Sequence, residues 1–283
     1  YADDVLLHYI YPCLTPPHAA SAELLTDLSA VQTWARHCRG SFSAAKTEYM
    51  FFGPSATLPV AMDTVSLTPS AHHKHLGVWL SSDLTWSFHM KEVIRKATQR
   101  CSLLRFMSRW IPRTAAERLY LTYIRPTMEY ACELWHPAIT EHQAIALERL
   151  QAAVARTLLK APWDTPKQEL FAALAWPALR WRRKIRCLVL FRHILMDKPD
   201  VLKDCLPATC SEAYSLRKPK SVLLPYVKLK RTTKSFFFYS SVLWNALPPY
   251  VQNISAPVTF RRRIEELWAN DKYNPYHDDN YSQ

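Results

Sequence analysis

From Met90 to Leu104 the apolar residues keep a helical period. Met90, Val93 with Ile94, Ala97, Cys101 and Leu104 fall on one face, and Lys91, Arg95, Lys96 and Arg100 fall on others. Thr114 is placed to cap a second helix through Tyr123, which Pro126 interrupts. Thr140 is placed to cap a third, with Ile145, Leu150, Val154 and Leu158 inward, and a basic helix is predicted over about 177–196. Pro199 to Pro225 reads as loop, and a last block, 233–268, carries aromatics and then Arg261, Arg262 and Arg263. Ahead of Met90 the pattern is mixed. Val5 to Ile10 is an apolar, β-compatible run broken by Pro12, Pro16 and Pro17; 21–38 reads as an amphipathic helix capped by Ser21 and followed by Gly40. Tyr49 to Phe52, Val65 to Leu67 and His75 to Leu80 read as short strands. The expected class is α+β: short β-hairpins with a helix, then a mainly α-helical remainder.

Charge divides at the same place. Residues 1–90 hold four basic side chains (Arg36, Arg39, Lys46, Lys74) against seven acidic ones, a net of −3. The rest of the 36 basic and 24 acidic residues give 91–283 a net of +15. A basic half joined to an acid-bearing half suits a polyanionic partner held near carboxylates; a merely solvated basic face is the alternative. Only 3 of 283 residues are Gly, which excludes the P-loop, the dinucleotide fingerprint and the kinase glycine loop. Phosphates, if handled, are met by metal ions or by Lys and Arg.

Seven scattered Cys without zinc or CxxC spacing read as reduced thiols. The uncharged apolar run near Leu188 to Phe191 is far shorter than the ~20 residues of a membrane span. An intracellular protein of nucleus or cytoplasm, with no membrane partner, is expected. Tyr1 rather than Met opens the sequence, which reads as a piece of something longer.

Asp3 and Asp4 stand directly before the apolar run Val5 to Ile10. Adjacent carboxylates at a strand tip suit Mg²⁺, which takes hard oxygen ligands and keeps several waters. Two such ions about 4 Å apart activate a hydroxyl and stabilise a leaving pyrophosphate. A solvated turn is the alternative for the pair alone. The cluster His72, His73 and His75 lacks complementary ligands for a metal site.

The order of several blocks adds to this. Tyr1-Ala2-Asp3-Asp4 with its apolar run resembles the active-site hairpin of reverse transcriptases. Lys46-Thr47-Glu48 before Tyr49 to Phe52 resembles the K-T-E strand of non-LTR (LINE-type) retrotransposon polymerases, with Ser43 where that family often carries Asn. His75-Leu76-Gly77-Val78-Trp79-Leu80, then Leu84, Trp86 and His89, resembles the family's Y-L-G-V-x-L…L-x-W-x-x-H block, with His75 in place of Tyr. Tyr123, Pro126, Glu129-Tyr130, Trp135 and Leu147 to Gln151 resemble its thumb segment, and Phe236 to Pro248 the tail of the CR1/jockey-like branch.

The resemblance implies a truncated polymerase palm over 1–88, with the Asp-Asp hairpin and a primer-grip-like hairpin. A helical thumb-like domain over 89–198 and a basic, partly irregular region over 199–283 follow. It implies RNA-directed DNA polymerisation by two-metal nucleotidyl transfer in the intact parent. Asp3 and Asp4 would be catalytic and hold Mg²⁺; Tyr1, Ala2 and Lys46 would lie near primer terminus and incoming nucleotide. Gly77 and Trp79 would contact nucleic acid in the primer grip. Lys91, Arg95, Lys96 and Arg100, continuing to Arg105 and Arg109, would track phosphates of an RNA template and DNA primer, and Arg182, Arg183 and Lys184 would bind RNA similarly. Interleaved charge and aromatics over 217–238 suit single-stranded RNA or packing on the thumb. A non-catalytic module or co-opted relic that grips RNA or hybrid duplex is the reading from a different class. An upstream frame encoding a Phe-x-x-Asp strand supports the polymerase; a start codon near Tyr1 supports the module.

Because the family's third Asp and its fingers precede the Asp-Asp hairpin, the 283-residue chain alone is expected not to extend a primer. A primer-extension assay with Mg²⁺ checks this: no product is the expected outcome, and metal-dependent extension contradicts it.

Overall fold

A computed structural model describes residues 5–10, 17–52, 60–62, 65–208, 222–224, 227 and 229–269. The chain forms an α+β fold in two compact units, Tyr1–His89 and Met90–Gln283.

In the first unit α1 (Pro17–His37) packs Leu24 and Leu28 on Val60, Met62 and Leu67 of a small antiparallel hairpin. That hairpin is β1 (Val60–Met62) and β2 (Val65–Leu67), with Val60 opposite Leu67. Phe42, Tyr49 and Phe51 close the cluster. The helix starts at Pro17, ahead of the expected Ser21. Its end is a Schellman closure: the Gly40 N–H donates to the Ala35 carbonyl at 2.8 Å, and Arg39 takes the left-handed φ of 56°. Two expected strands do not form. Tyr49 makes one bridge, to Pro69. Val5 to Ile10 pairs with no described strand, and Val5, Leu6 and Ile10 stay exposed, because a strand needs a neighbouring row of backbone donors and acceptors.

The run expected as one strand, His75 to Leu80, is a hairpin instead. In it, β3 (His72–His75) and β4 (Val78–Ser81) are joined by Leu76 and Gly77, with φ of 45° and 86°. Positive φ at both loop residues is the type I′ signature, whose twist matches that of the flanking strands. Gly77 adopts its φ without strain; Leu76 does so against its Cβ.

The second unit is helical. In α2 (Ser87–Met107) Met90, Val93, Ala97, Cys101 and Leu104 are buried, the stripe read from the sequence. Then α3 (Arg113–Leu119) widens into a π turn, Tyr120–Ile124, and tightens into a 3₁₀ turn, Arg125–Met128, around Pro126. Next come α4 (Cys132–Trp135) and α5 (Glu141–Leu159), whose start is a capping box between Thr140 and Gln143. Within α5 the deep positions are Leu147, Gln151, Val154 and Leu158, whereas Ile145 and Leu150 are only half-buried. After α6 (Lys167–Ala173) comes α7 (Leu179–Asp197), at the place of the expected basic helix.

The C-terminal helices are α8 (Lys230–Thr233), α9 (Phe236–Asn245), α10 (Pro249–Gln252) and α11 (Pro257–Ala269). Leu188 and Phe191 of α7 share a core with Leu243 and Trp244 of α9, Val251 of α10, and Phe260 and Ile264 of α11. Each such buried side chain contributes roughly 1.5–3 kcal/mol. The tail string S-F-F-F-Y-S-S-V-L-W-N is thus a packed helix, and Asn245 and the Val222 backbone exchange two hydrogen bonds: the Val222 N–H donates to Asn245 Oδ1 and Asn245 Nδ2 donates to the Val222 carbonyl, each at 2.9 Å.

His136 is buried beside this core. Its Nδ1 accepts from the Arg183 Nε at 3.4 Å and its Nε2 lies 3.3 Å from the Tyr239 hydroxyl. Arginine only donates, so the neutral ring carries its proton on Nε2. A second proton would face the Arg183 guanidinium. Burial first, and then the charges of Arg183, Lys184 and Arg180, hold the His136 pKa well below 6.5. The unfolded chain therefore binds the proton more readily, and stability is full above the ordinary histidine pKa and falls as pH drops below it. Unfolding free energy is expected to decline below about pH 6.5 with this residue contributing up to about 1.4 kcal/mol per pH unit. Urea titrations at several pH values check it, and His136→Gln should remove that component.

Candidate nucleic-acid interface

The structure sets the basic residues of α7 apart from those of α2 and the segment after it, and the difference follows from where carboxylates lie. α7 carries Arg180, Arg182, Arg183, Lys184, Arg186 and Arg192. Facing it, Glu141 pairs with Arg180, Glu129 with Arg182 through two contacts, one of 3.0 Å, and Glu133 with Arg186 at 2.9 Å. Glu148 is buried and accepts from the backbone N–H groups of Leu179 and Arg180, at 3.2 and 2.6 Å. A carboxylate there satisfies donors left open at a helix start and complements its dipole. Arg192 donates to the Ile254 carbonyl at 2.9 Å and to that of Ser255.

These placements turn around the expected role of Arg182, Arg183 and Lys184. Arg183 is fully enclosed, with its guanidinium carbon 5.7 Å from the Trp135 ring centroid. Lys184 is buried with its ammonium 4.9 Å from the Trp181 ring. Arg182 lies against the buried Glu129, which raises its pKa further through the hydrogen bond between them. A phosphate cannot reach an enclosed cation, so in this fold Arg183 and Lys184 are packing residues, and the half-buried Arg182 is engaged by Glu129. Sequence periodicity shows that α7 is basic; it does not show which glutamates on other helices face it.

The second set lies on α2 and the segment after it. Between Val93 and Met128 there are eight basic residues and one acid, Glu117, whose carboxylate accepts from the Trp176 indole at 3.2 Å. Lys91 is exposed. Arg95 pairs with Glu92 at 2.9 Å on the surface, where solvent screens the pair and it yields to a competing anion. Lys96 is half-buried. Arg100 is fixed: it lies 4.1 Å from the Tyr123 ring centroid and donates to the Tyr123 carbonyl and the Thr127 hydroxyl. Arg105, Arg109, Arg113 and Arg118 are exposed, and among the described residues none pairs with a carboxylate. Arg113 and Arg118 did not stand out in the sequence, although the eight-to-one charge count over this stretch marks them.

In the first unit, Tyr1, Ala2, Asp3 and Asp4 lie outside the described residues. Lys46 is exposed at the end of a 3₁₀ turn, Ala44–Lys46, while Glu48 of the same motif bonds His73 at 2.7 Å. Gly77 is at the hairpin tip. Trp79 is half-buried and meets Phe88 edge-on at 5.0 Å, and its backbone N–H donates to the buried His89 Nδ1 at 3.3 Å. Asp83 accepts from the Thr85 N–H and hydroxyl at 2.9 and 3.0 Å, which lowers its pKa. The block from His75 to His89 is therefore the joint between a hairpin and the start of α2. His72 stacks on Phe88 at 4.1 Å, and among the described residues no group of three or more His, Cys, Asp or Glu is arranged to hold a metal. Burial pushes the Cys101 thiol up to about 11 and that of Cys132 to about 12, so both are inert as nucleophiles. Among the described residues no helix is long and apolar enough to cross a membrane.

No family model and no solved structure matches the chain. Among curated proteins it is similar to the "Probable RNA-directed DNA polymerase from transposon BS" of Drosophila melanogaster, at 25% identity over 170 residues. The aligned part is 58% of this chain and 18% of that relative's length. The likeness supports a reverse-transcriptase-like relationship for the chain.

Proposed function

We propose that the chain is the nucleic-acid-holding part of a reverse-transcriptase-like protein of the non-LTR retrotransposon kind, and that the face of α2 and α3 grips an RNA template with its DNA primer. The observation that carries this is the set Arg105, Arg109, Arg113 and Arg118, exposed and, among the described residues, without carboxylate partners, whereas Arg180, Arg182 and Arg186 of α7 are paired with glutamates. Unpaired guanidiniums bind phosphate oxygens by charge-assisted, bidentate bonds and read backbone geometry, not sequence. An A-form-like hybrid duplex presents such a backbone. Lys91 and Arg95 extend the set toward the start of α2.

Asp3 and Asp4 are proposed as carboxylates of a two-metal site. Their hard oxygen donors suit Mg²⁺, which when bound would stabilise charge in phosphoryl transfer. In this reading Lys46, exposed and mobile on its stem, supplies positive charge to a triphosphate. The binding part of the proposal needs neither aspartate, so it applies equally to a chain that only grips RNA or hybrid.

Filter binding of an RNA–DNA hybrid across a salt series tests it. The wild-type chain should bind at low salt, with log affinity falling against log salt at a slope of about −3 or steeper for four or five phosphate contacts. Arg105→Ala with Arg109→Ala should weaken binding several-fold and flatten the slope by about 2. Arg183→Met, checked for folding by circular dichroism, should leave affinity within about twofold because Arg183 is enclosed. No binding at low salt, or a slope near zero, contradicts the proposal.

A further inference from the structure

α2 has two apolar stripes, and only one is buried. Leu103 and Phe106 lie on the side away from Met90, Ala97 and Leu104, and the stripe continues into Trp110 of the following turn. Phe106 is 61% exposed and Trp110 79%, in a chain where Trp135 and Trp244 are almost wholly enclosed. The turn that presents Trp110 is tied down. The N–H groups of Trp110 and Ile111 both donate to the Met107 carbonyl, at 2.8 and 3.2 Å, and the Ser108 hydroxyl donates to the Arg105 carbonyl at 2.8 Å. Arg105 and Arg109 are next to the two rings in sequence and Arg113 follows three positions after Trp110, all exposed.

Rings held outward, with unpaired cations at neighbouring positions, complement a chain that alternates flat faces with phosphates. We propose that Phe106 and Trp110 form a stacking platform for the bases of single-stranded nucleic acid, with Arg105, Arg109 and Arg113 on its phosphates. This rests on the nucleic-acid reading above and adds a ligand that the duplex grip does not need: in a duplex the base faces are covered by their neighbours. An apolar protein surface is the poorer occupant, because covering the rings would also desolvate three arginines without opposing charge.

The test uses the full chain and fluorescence anisotropy with two labelled probes, a short oligouridylate and an RNA–DNA hybrid. Trp110→Ala should weaken oligouridylate binding about tenfold, the worth of one stacked base, and change hybrid binding by less than about twofold. Trp110→Leu should lose as much as Trp110→Ala, and Trp110→Phe should retain most of the affinity, since stacking needs a π face and not apolar bulk. If all three variants bind oligouridylate like the wild type while hybrid binding persists, the platform is wrong and the grip stands. Retention by Trp110→Leu alone identifies an apolar contact and also overturns the platform. If the wild type binds neither probe, both proposals fall. If it sediments as a dimer that Trp110→Ala splits with oligouridylate affinity unchanged, the stripe is a self-interface and not a platform.

Discussion

The matching of glutamates to α7 is the interaction on which the second unit depends. α7 touches α4, α5, α9 and α11, yet it carries six cationic side chains. Most of those charges are answered as the helix enters the core, and Arg183 lies against the Trp135 ring and donates from Nε to His136. Glu148 caps its first turn, Glu141, Glu129 and Glu133 answer Arg180, Arg182 and Arg186, and the Ile254 and Ser255 carbonyls take Arg192. Of these pairs only Arg182–Glu129 is mostly buried, and removing one partner there leaves a charge that burial makes expensive, typically about 3–5 kcal/mol; the more exposed Arg180–Glu141 and Arg186–Glu133 pairs are screened by water. The matching therefore serves position: it fixes which face of α7 meets Trp135 and which meets Trp244 and Phe260.

That matching also decides where positive charge is free to act. The net of +15 over residues 91–283 already counts the three ion pairs of α7 as neutral; what α7 withdraws from a ligand is the enclosed charge of Arg183, Lys184 and Arg192. Among the described residues, α2, α3 and the turn between them present Arg105, Arg109, Arg113 and Arg118 exposed and without carboxylate partners; of the two acids there, Glu92 pairs with Arg95 and Glu117 accepts from Trp176. The motifs that carried the family resemblance divide in the same way. Glu129, Trp135, Glu148 and Gln151 are joints: Trp135 donates to the Tyr130 carbonyl at 3.0 Å, and Gln151 bridges the Tyr120 hydroxyl and the Pro177 carbonyl at 2.7 and 3.0 Å.

Periodicity made the helices legible. The stripe of α2, the Thr140 cap of α5 and the basic run of α7 are local patterns that the fold keeps. Short strands were less legible, since Leu76 in a left-handed turn residue is not a sequence signal for a hairpin, and Val5 to Ile10 shows that an apolar run needs a neighbour to become a strand. The candidate site was half legible. Charge density pointed to α2, but composition cannot separate Arg183, enclosed beside Trp135, from Arg109 in water; that difference arises only when Glu129, Glu133 and Glu148 are brought onto α7 from residues some 30 to 55 positions away. The pair Asp3 and Asp4 is carried by motif alone.

Arginine-specific labelling with phenylglyoxal, read residue by residue by mass spectrometry with and without an RNA–DNA hybrid, tests the division most directly. The account predicts that Arg105, Arg109, Arg113 and Arg118 label readily in the free chain and are protected by the hybrid, while Arg182, Arg183 and Arg192 resist labelling in both states. Rapid labelling of Arg182 and Arg183 that the hybrid suppresses, with the arginines of α2 and α3 unaffected, would contradict it.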